Sequence, residues 1–184
     1  IIKSEIIPVY ETKPIKAKEF DDLKLNMKMF SEDISFAVNE SKKLSKKYSS
    51  WLENETIEGE KFIRPVFKDA SKKNTNKCKQ ILKRINEGIN ILENDKNAQT
   101  AFKFMNQSMY LQQVHYQIKN YSDNMDYASE LEERGKGNWR PFQIAFILLN
   151  IKSFINPESN DREIMDLIWF PTGGGKTEAY LGLT

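Results

Sequence analysis

Three consecutive glycines, Gly173-Gly174-Gly175, run directly into Lys176-Thr177, and nothing else in the 184 residues restricts the local fold as strongly. Ahead of them Asp166-Leu167-Ile168-Trp169-Phe170 is a short apolar run closed by Pro171. Behind them Glu178-Ala179-Tyr180-Leu181 reads as a helix start. An extended run, a glycine-rich loop and a helix, in that order, is the setting a phosphate-binding loop requires. Glycines let the backbone wrap closely round a phosphate, with amides turned inward and no side chain in the way. The following helix offers unpaired amides and the positive end of its dipole to an anion. Lys176 is placed to reach the β- and γ-phosphates of a nucleotide, and the Thr177 hydroxyl to ligate Mg²⁺. Thr172, Gly173, Gly174, Gly175, Lys176, Thr177 and Glu178 are therefore candidate nucleotide-binding residues, with Lys176 and Thr177 the candidate catalytic pair and Thr177 the metal ligand. Phe170 stands where the general pattern has its first glycine. The plainer reading of the stretch is a glycine-rich turn ahead of a helix.

An apolar run such as Asp166–Phe170 is expected to be a central parallel strand, buried on both faces. No other segment reads as its parallel neighbour. The sequence thus predicts a chain that folds mainly through helices, with residues from about 157 onward weakly supported, binding nucleotide weakly and hydrolysing none. It begins at Ile1 and stops about one turn into the helix after the loop, so the expectation is a piece cut at both ends.

A second element lies upstream. Trp139-Arg140-Pro141-Phe142-Gln143 opens a helix, with Pro141 near the first position, where a missing amide is harmless. Phe142, Ala145, Phe146 and Leu149 then form an expected buried stripe. Gln143 carries one donor and one acceptor, the pair that grips the N6/N7 edge of adenine. A glutamine in a first turn is more often simply solvent-facing. Its place 33 residues before Lys176 is what gives it meaning.

The rest of the chain is patterned for helices. Residues 1–30 read as extended, with Ile6, Ile7, Val9 and Tyr10 around Pro8, and with Leu23, Leu25, Met27 and Met29 alternating as in a half-buried strand. Ser31 is the predicted N-cap of a helix carrying Ile34, Ala37, Val38, Leu44, Tyr48, Trp51 and Leu52, which Gly59 and Pro65 interrupt. A second helix buries Cys78, Ile81, Leu82, Ile85, Ile89 and Leu92. A third, from about Ala98 to Ile118, buries Phe102, Met105, Met109 and Leu111, with Phe104 also read as core. The polar stretch from Ser122 to Asn138, with Gly135 and Gly137, reads as a linker. The predicted domains are an extended segment over 1–30, an antiparallel helical region over 31–121, the linker over 122–138 and a second unit over 139–184.

Composition narrows the chemistry. The longest apolar stretch, Ile144–Leu149, is far shorter than the roughly 20 residues that cross a bilayer, so no membrane span is expected. One cysteine, Cys78, excludes an internal disulfide and suits a reducing, cytoplasmic compartment. One histidine, His115, argues against a histidine-rich metal site. A formal charge of +2, from 28 basic and 26 acidic side chains, says little about partners. The pairs Lys42-Lys43, Lys46-Lys47 and Lys72-Lys73 could touch nucleic-acid phosphates, though solvated helix faces are their commoner role.

Together the two motifs resemble the opening of the first RecA-like domain of superfamily 2 helicases and translocases. There an Arg-Pro-aromatic-Gln adenine motif precedes a Thr-Gly-x-Gly-Lys-Thr loop, and a non-glycine at the place of Phe170 is common. The run from Trp139 to Gln143 and from Phe170 to Leu181 is similar to the DrmA-type helicases of bacterial DISARM anti-phage systems. Ala101-Phe102-Lys103-Phe104-Met105-Asn106 is also similar to the helical segment ahead of the motor in that family. The resemblance implies a helical accessory region followed by the truncated start of a RecA-like α/β domain. It implies ATP and Mg²⁺ as cofactors, DNA and other defence-system subunits as partners, Gln143 on adenine, and Arg140 or Trp139 against the base. Two other readings stay open: a helical module that binds DNA or a partner and carries a vestigial loop, and an unrelated P-loop nucleotide binder, against which Gln143 argues.

Overall fold

The computed structural model describes residues 20–118, 137–170 and 173–184. The expected extended segment over 1–19, most of the expected linker, and Pro171 and Thr172 lie outside the described residues. What is described is mainly helical, and among the described residues there is no strand.

Helix α1, Met27–Glu32, occupies the place where alternation predicted a strand. Asn26 is extended, but its side chain accepts from the Met29 amide at 3.0 Å and caps a helical turn. Met27 and Phe30, three apart, are then both fully buried while Met29 faces outward, so the helical period outcompetes the alternating one. Helix α2, Ile34–Glu60, is capped by Asp33, which accepts from the Phe36 amide at 3.0 Å. The predicted cap, Ser31, instead donates its hydroxyl to the Lys28 carbonyl. Gly59 does not interrupt α2. It is buried where a Cβ would meet the Ser71 hydroxyl at 2.1 Å, so it lets two helices approach.

Helix α3, Pro65–Asn94, starts at Pro65 and returns along α2. Ile85, Ile89 and Leu92 are buried as the stripe predicted, but Ile81 is exposed and Cys78 only half-buried. Asp95 ends α3 and accepts from the Ala98 amide at 2.8 Å, turning the chain into α4, Lys96–Ile118. Phe102 and Met109 are core. Leu111 and Phe104 are exposed, and Tyr110 and Val114 fill the places expected of them, because the buried face of α4 runs through 102, 106, 110 and 114.

Helix α5, Pro141–Ile155, is the centre of the molecule. Beside the predicted Phe146 and Leu149 it buries Ile144, Ile147, Leu148 and Ile151, so it is covered nearly all round. It crosses α3 at Gly88, where a Cβ would stand 1.9 Å from the Leu148 carbonyl oxygen. Side chains from α1 to α5 share one apolar core, which thus joins residues on both sides of the expected linker. The lead-in to α5 is tied to the start of α1. Met27 donates to the Gly137 carbonyl at 2.7 Å and Trp139 to that of Leu25 at 2.8 Å. The Trp139 indole is buried and donates to Asn106 Oδ1 at 2.7 Å, while Asn106 donates to the Phe102 carbonyl.

Beyond α5 come a 3-10 turn, Asn160–Glu163, the segment 164–170, which is neither helix nor strand, and helix α6, Lys176–Leu181.

Candidate functional site

The segment 164–170 lies where a central strand buried on both faces was expected, but it forms no strand, has no strand neighbours among the described residues, and buries only one face. Its side chains alternate. Asp166, Ile168 and Phe170 turn toward the helices, while Met165, Leu167 and Trp169 stand 94%, 81% and 75% exposed. Phe170 stacks on Phe142 of α5, ring centroids 4.5 Å apart and planes 19° from parallel. That contact places the start of the glycine loop beside the start of α5.

Sequence-distant candidates meet here. The Arg140 guanidinium donates to the Gly174 carbonyl at 2.6 Å, and Gln143 Nε2 donates to the Gly175 carbonyl at 2.7 Å. Gln143 Oε1 accepts from the Arg140 amide at 2.7 Å, one arm of a capping box that fixes its rotamer. Gln143 is therefore 4% exposed, with both ends of its amide engaged by the chain itself. A base that bonds Gln143 must replace one of those contacts. Trp139, buried with its indole on Asn106, has no face open to a base.

Gly173 and Gly175 hold φ of 76° and 86°, the left-handed region that other residues enter at a cost. Gly175 is the N-cap of α6. Because each peptide unit is planar and trans, the carbonyls of Gly174 and Gly175 that face Arg140 and Gln143 direct the amides of Gly175 and Lys176 the opposite way. Those amides open the first turn of α6, where no intrahelical acceptor exists. Lys176 Nζ donates to the Phe170 carbonyl at 2.5 Å, so the ammonium lies across the mouth of the loop. Thr177 is exposed one residue on, and Glu178 is half-buried in the first turn. The residues present fit an anion with its counter-cation: a turn of glycines, two outward amides, a cation and a hydroxyl. Thr172 lies outside the described residues.

A charged cluster that the sequence reading missed lies behind the segment. Arg84 on α3, 8% exposed, grips Asp166 with two hydrogen bonds of 2.8 and 2.6 Å. Asp166 raises the Arg84 pKa above its usual value, against the effect of burial. Lys152 on α5 pairs with Glu87 at 2.8 Å, and that bond raises its pKa too. Arg84 falls within the apolar stripe of α3, and a charge in that position was the signal available.

The lysine pairs are partly engaged within the fold. Lys42 pairs with Glu93, Lys43 with Glu40 and Lys47 with Asp22, at 2.6 to 2.7 Å. Lys72 and Lys73 are exposed, as is His115. Among the described residues no group of three or more His, Cys, Asp or Glu could hold a metal, and no helix is long and apolar enough to cross a membrane.

No protein-family model matches the chain. It is similar to the DISARM protein DrmA of Bacillus paralicheniformis, 37% identical over 196 aligned positions that take in 99% of this chain and 17% of that protein. The chain is thus a relative of a DISARM protein along its whole length, and spans a small part of the length of that relative.

Proposed function

We propose that the chain is the nucleotide-binding opening of an ATP-dependent DNA helicase or translocase acting in phage defence. The observation that carries this reading is the meeting of Arg140 and Gln143 with the carbonyls of Gly174 and Gly175, across 34 and 32 residues of sequence. A turn needed only to start a helix has no use for two side chains that aim its amides outward. The match to a DISARM protein supports the defence setting, with other subunits of such a system as partners.

In this reading the region expected over 31–121 is the helical accessory region, and 139–184 begin a RecA-like domain whose first strand is 166–170. The amides of Gly175 and Lys176 hold phosphate oxygens, Lys176 exchanges the Phe170 carbonyl for a terminal phosphate, and Thr177 ligates Mg²⁺. Thr172, Gly173 and Glu178 complete the loop. Bound Mg²⁺ would neutralise developing phosphate charge. The setting is cytoplasmic.

The test is titration of the intact protein with ATP, with and without Mg²⁺, beside Lys176→Ala. The expected result is magnesium-dependent binding that falls at least about tenfold in the variant, the scale of a lost charge-assisted contact. Equal affinity in the two proteins overturns the reading.

A further inference from the structure

The segment that delivers the glycine loop has no strand neighbours among the described residues to fix its register, yet its register matters. Lys176 reaches the Phe170 carbonyl, so the position of residue 170 along the segment sets where the ammonium lies. Three inward side chains hold that position: Ile168 against the core, Phe170 on Phe142, and Asp166 on Arg84. The two apolar contacts tolerate a one-residue slide, since Leu167 or Trp169 would then stand in the place of Ile168, and Trp169 or Pro171 in that of Phe170. Only the Arg84 grip is selective. A shift of one residue would set Leu167 or Met165 against the guanidinium, and a shift of two would set Ile168 or Ile164 there, each removing the carboxylate that accepts its hydrogen bonds and leaving Asp161, 3.6 Å from Nε, as an ion partner.

Arg84 is well placed for such a role. It lies one turn before Gly88, where α3 and α5 touch backbone to side-chain position, so its helix is fixed against the centre of the molecule. Its Nε stands 3.6 Å from Asp161 Oδ2, and neither atom makes a hydrogen bond. Asp166 is thus the partner that holds the guanidinium.

We infer that Arg84 is a positioning residue for the glycine loop: through Asp166 it sets the register of residues 164–170, and so ties the phosphate site to the helical region. Its consequence for nucleotide binding through Lys176 rests on the reading given under the proposed function.

The experiment compares Arg84→Lys, Asp166→Asn and the double variant in the intact protein, by limited chymotrypsin digestion and amide hydrogen exchange without nucleotide, and by titration with Mg·ATP. Lysine keeps the charge at 84 but cannot form the two-pronged grip. Both single variants are expected to speed chymotrypsin cleavage within 164–170 while α3 and α5 keep wild-type amide protection, and to weaken Mg·ATP binding by roughly threefold to thirtyfold. The double variant is expected to be no worse than either single one, because one grip is lost in all three. Unchanged cleavage within 164–170, a rise in cleavage matched by an equal loss of amide protection in α3 and α5, or additive effects in the double variant each overturn the inference. Failure of the nucleotide reading is seen separately, as a wild-type protein that does not bind Mg·ATP or a Lys176→Ala protein that binds it equally well. The cleavage measurement decides the register role in either case.

Discussion

Helix α3 carries two contacts of different kinds, one with α5 and one with the segment that leads into the glycine loop. Against α5 it presents Gly88, Ile85, Ile89 and Leu92, a surface defined by volume, with main chain touching side-chain space at Gly88. Against the segment it presents one charged grip, and the opposite face of that segment, Met165, Leu167 and Trp169, is bare. The first contact is closed on all sides and belongs to the cooperative unit. The second is one-sided, and opening it exposes little that is not exposed already. Perturbing the crossing should therefore act on the whole fold, and perturbing the segment on itself alone.

The largest effect is expected at the crossing. Leu148 is fully buried, and Leu148→Ala should destabilise by about 3 kcal/mol, lowering the urea midpoint with little change in slope. The same truncation at Leu167 should stay within about 0.5 kcal/mol. Comparable losses at the two leucines would erase the distinction between the regions.

Next comes Gly88→Ala. The added methyl meets a main-chain oxygen at 1.9 Å that cannot swing aside, so the helices must separate, at about 1–3 kcal/mol. Trp139→Phe should fall near 2 kcal/mol, since it strands the buried Asn106 oxygen that the indole satisfied. Asn106→Leu in the same background should recover part of that loss, which thermal melting of the two variants would check.

What the sequence revealed follows the same division. The α3 stripe and the start of α5 were legible because their period is local and Pro141 marks a helix entry. Helix α1 was not, since Leu23, Leu25, Met27 and Met29 satisfy an alternating pattern and only the Asn26 cap decides against it. Leu111 was misplaced by one residue against Tyr110, which a small drift in the face of a long helix produces. At the site, the glycine loop and Gln143 could be read from residue type and spacing. The grip of Arg84 on Asp166 spans 82 residues and leaves no local pattern beyond a charge in an apolar stripe. The buried state of Gln143 and Trp139 was equally hidden, because burial there depends on packing from α4 and the loop.

Glycines sharpen the contrast further. Gly173 has φ of 76°, and a methyl group added there would meet no atom within 4 Å, so Gly173→Ala costs only the strain of the backbone angle, about 1 kcal/mol. Its effect should appear as faster proteolytic cleavage at the loop with an almost unchanged melting temperature. A fall as large as that of Gly88→Ala would mean that the loop is part of the cooperative core.

The smallest effect concerns pH, on the face where α2 meets α3. Tyr48 stacks on Trp51 with centroids 5.4 Å apart and lies beside Cys78. Burial first, and then the bond to the Cys78 thiol, push the tyrosine hydroxyl well above its ordinary pKa near 10. The fold thus favours the neutral phenol. Its contribution is fully present below about pH 10 and is lost as pH climbs toward the raised folded value. Phenolate absorbance should show a late-ionising component that Tyr48→Phe removes, with stability near neutrality changed by less than about 1 kcal/mol. If the late component survives that substitution, the α2–α3 face is open to water. It would then belong with the exposed segment and not with the closed crossing.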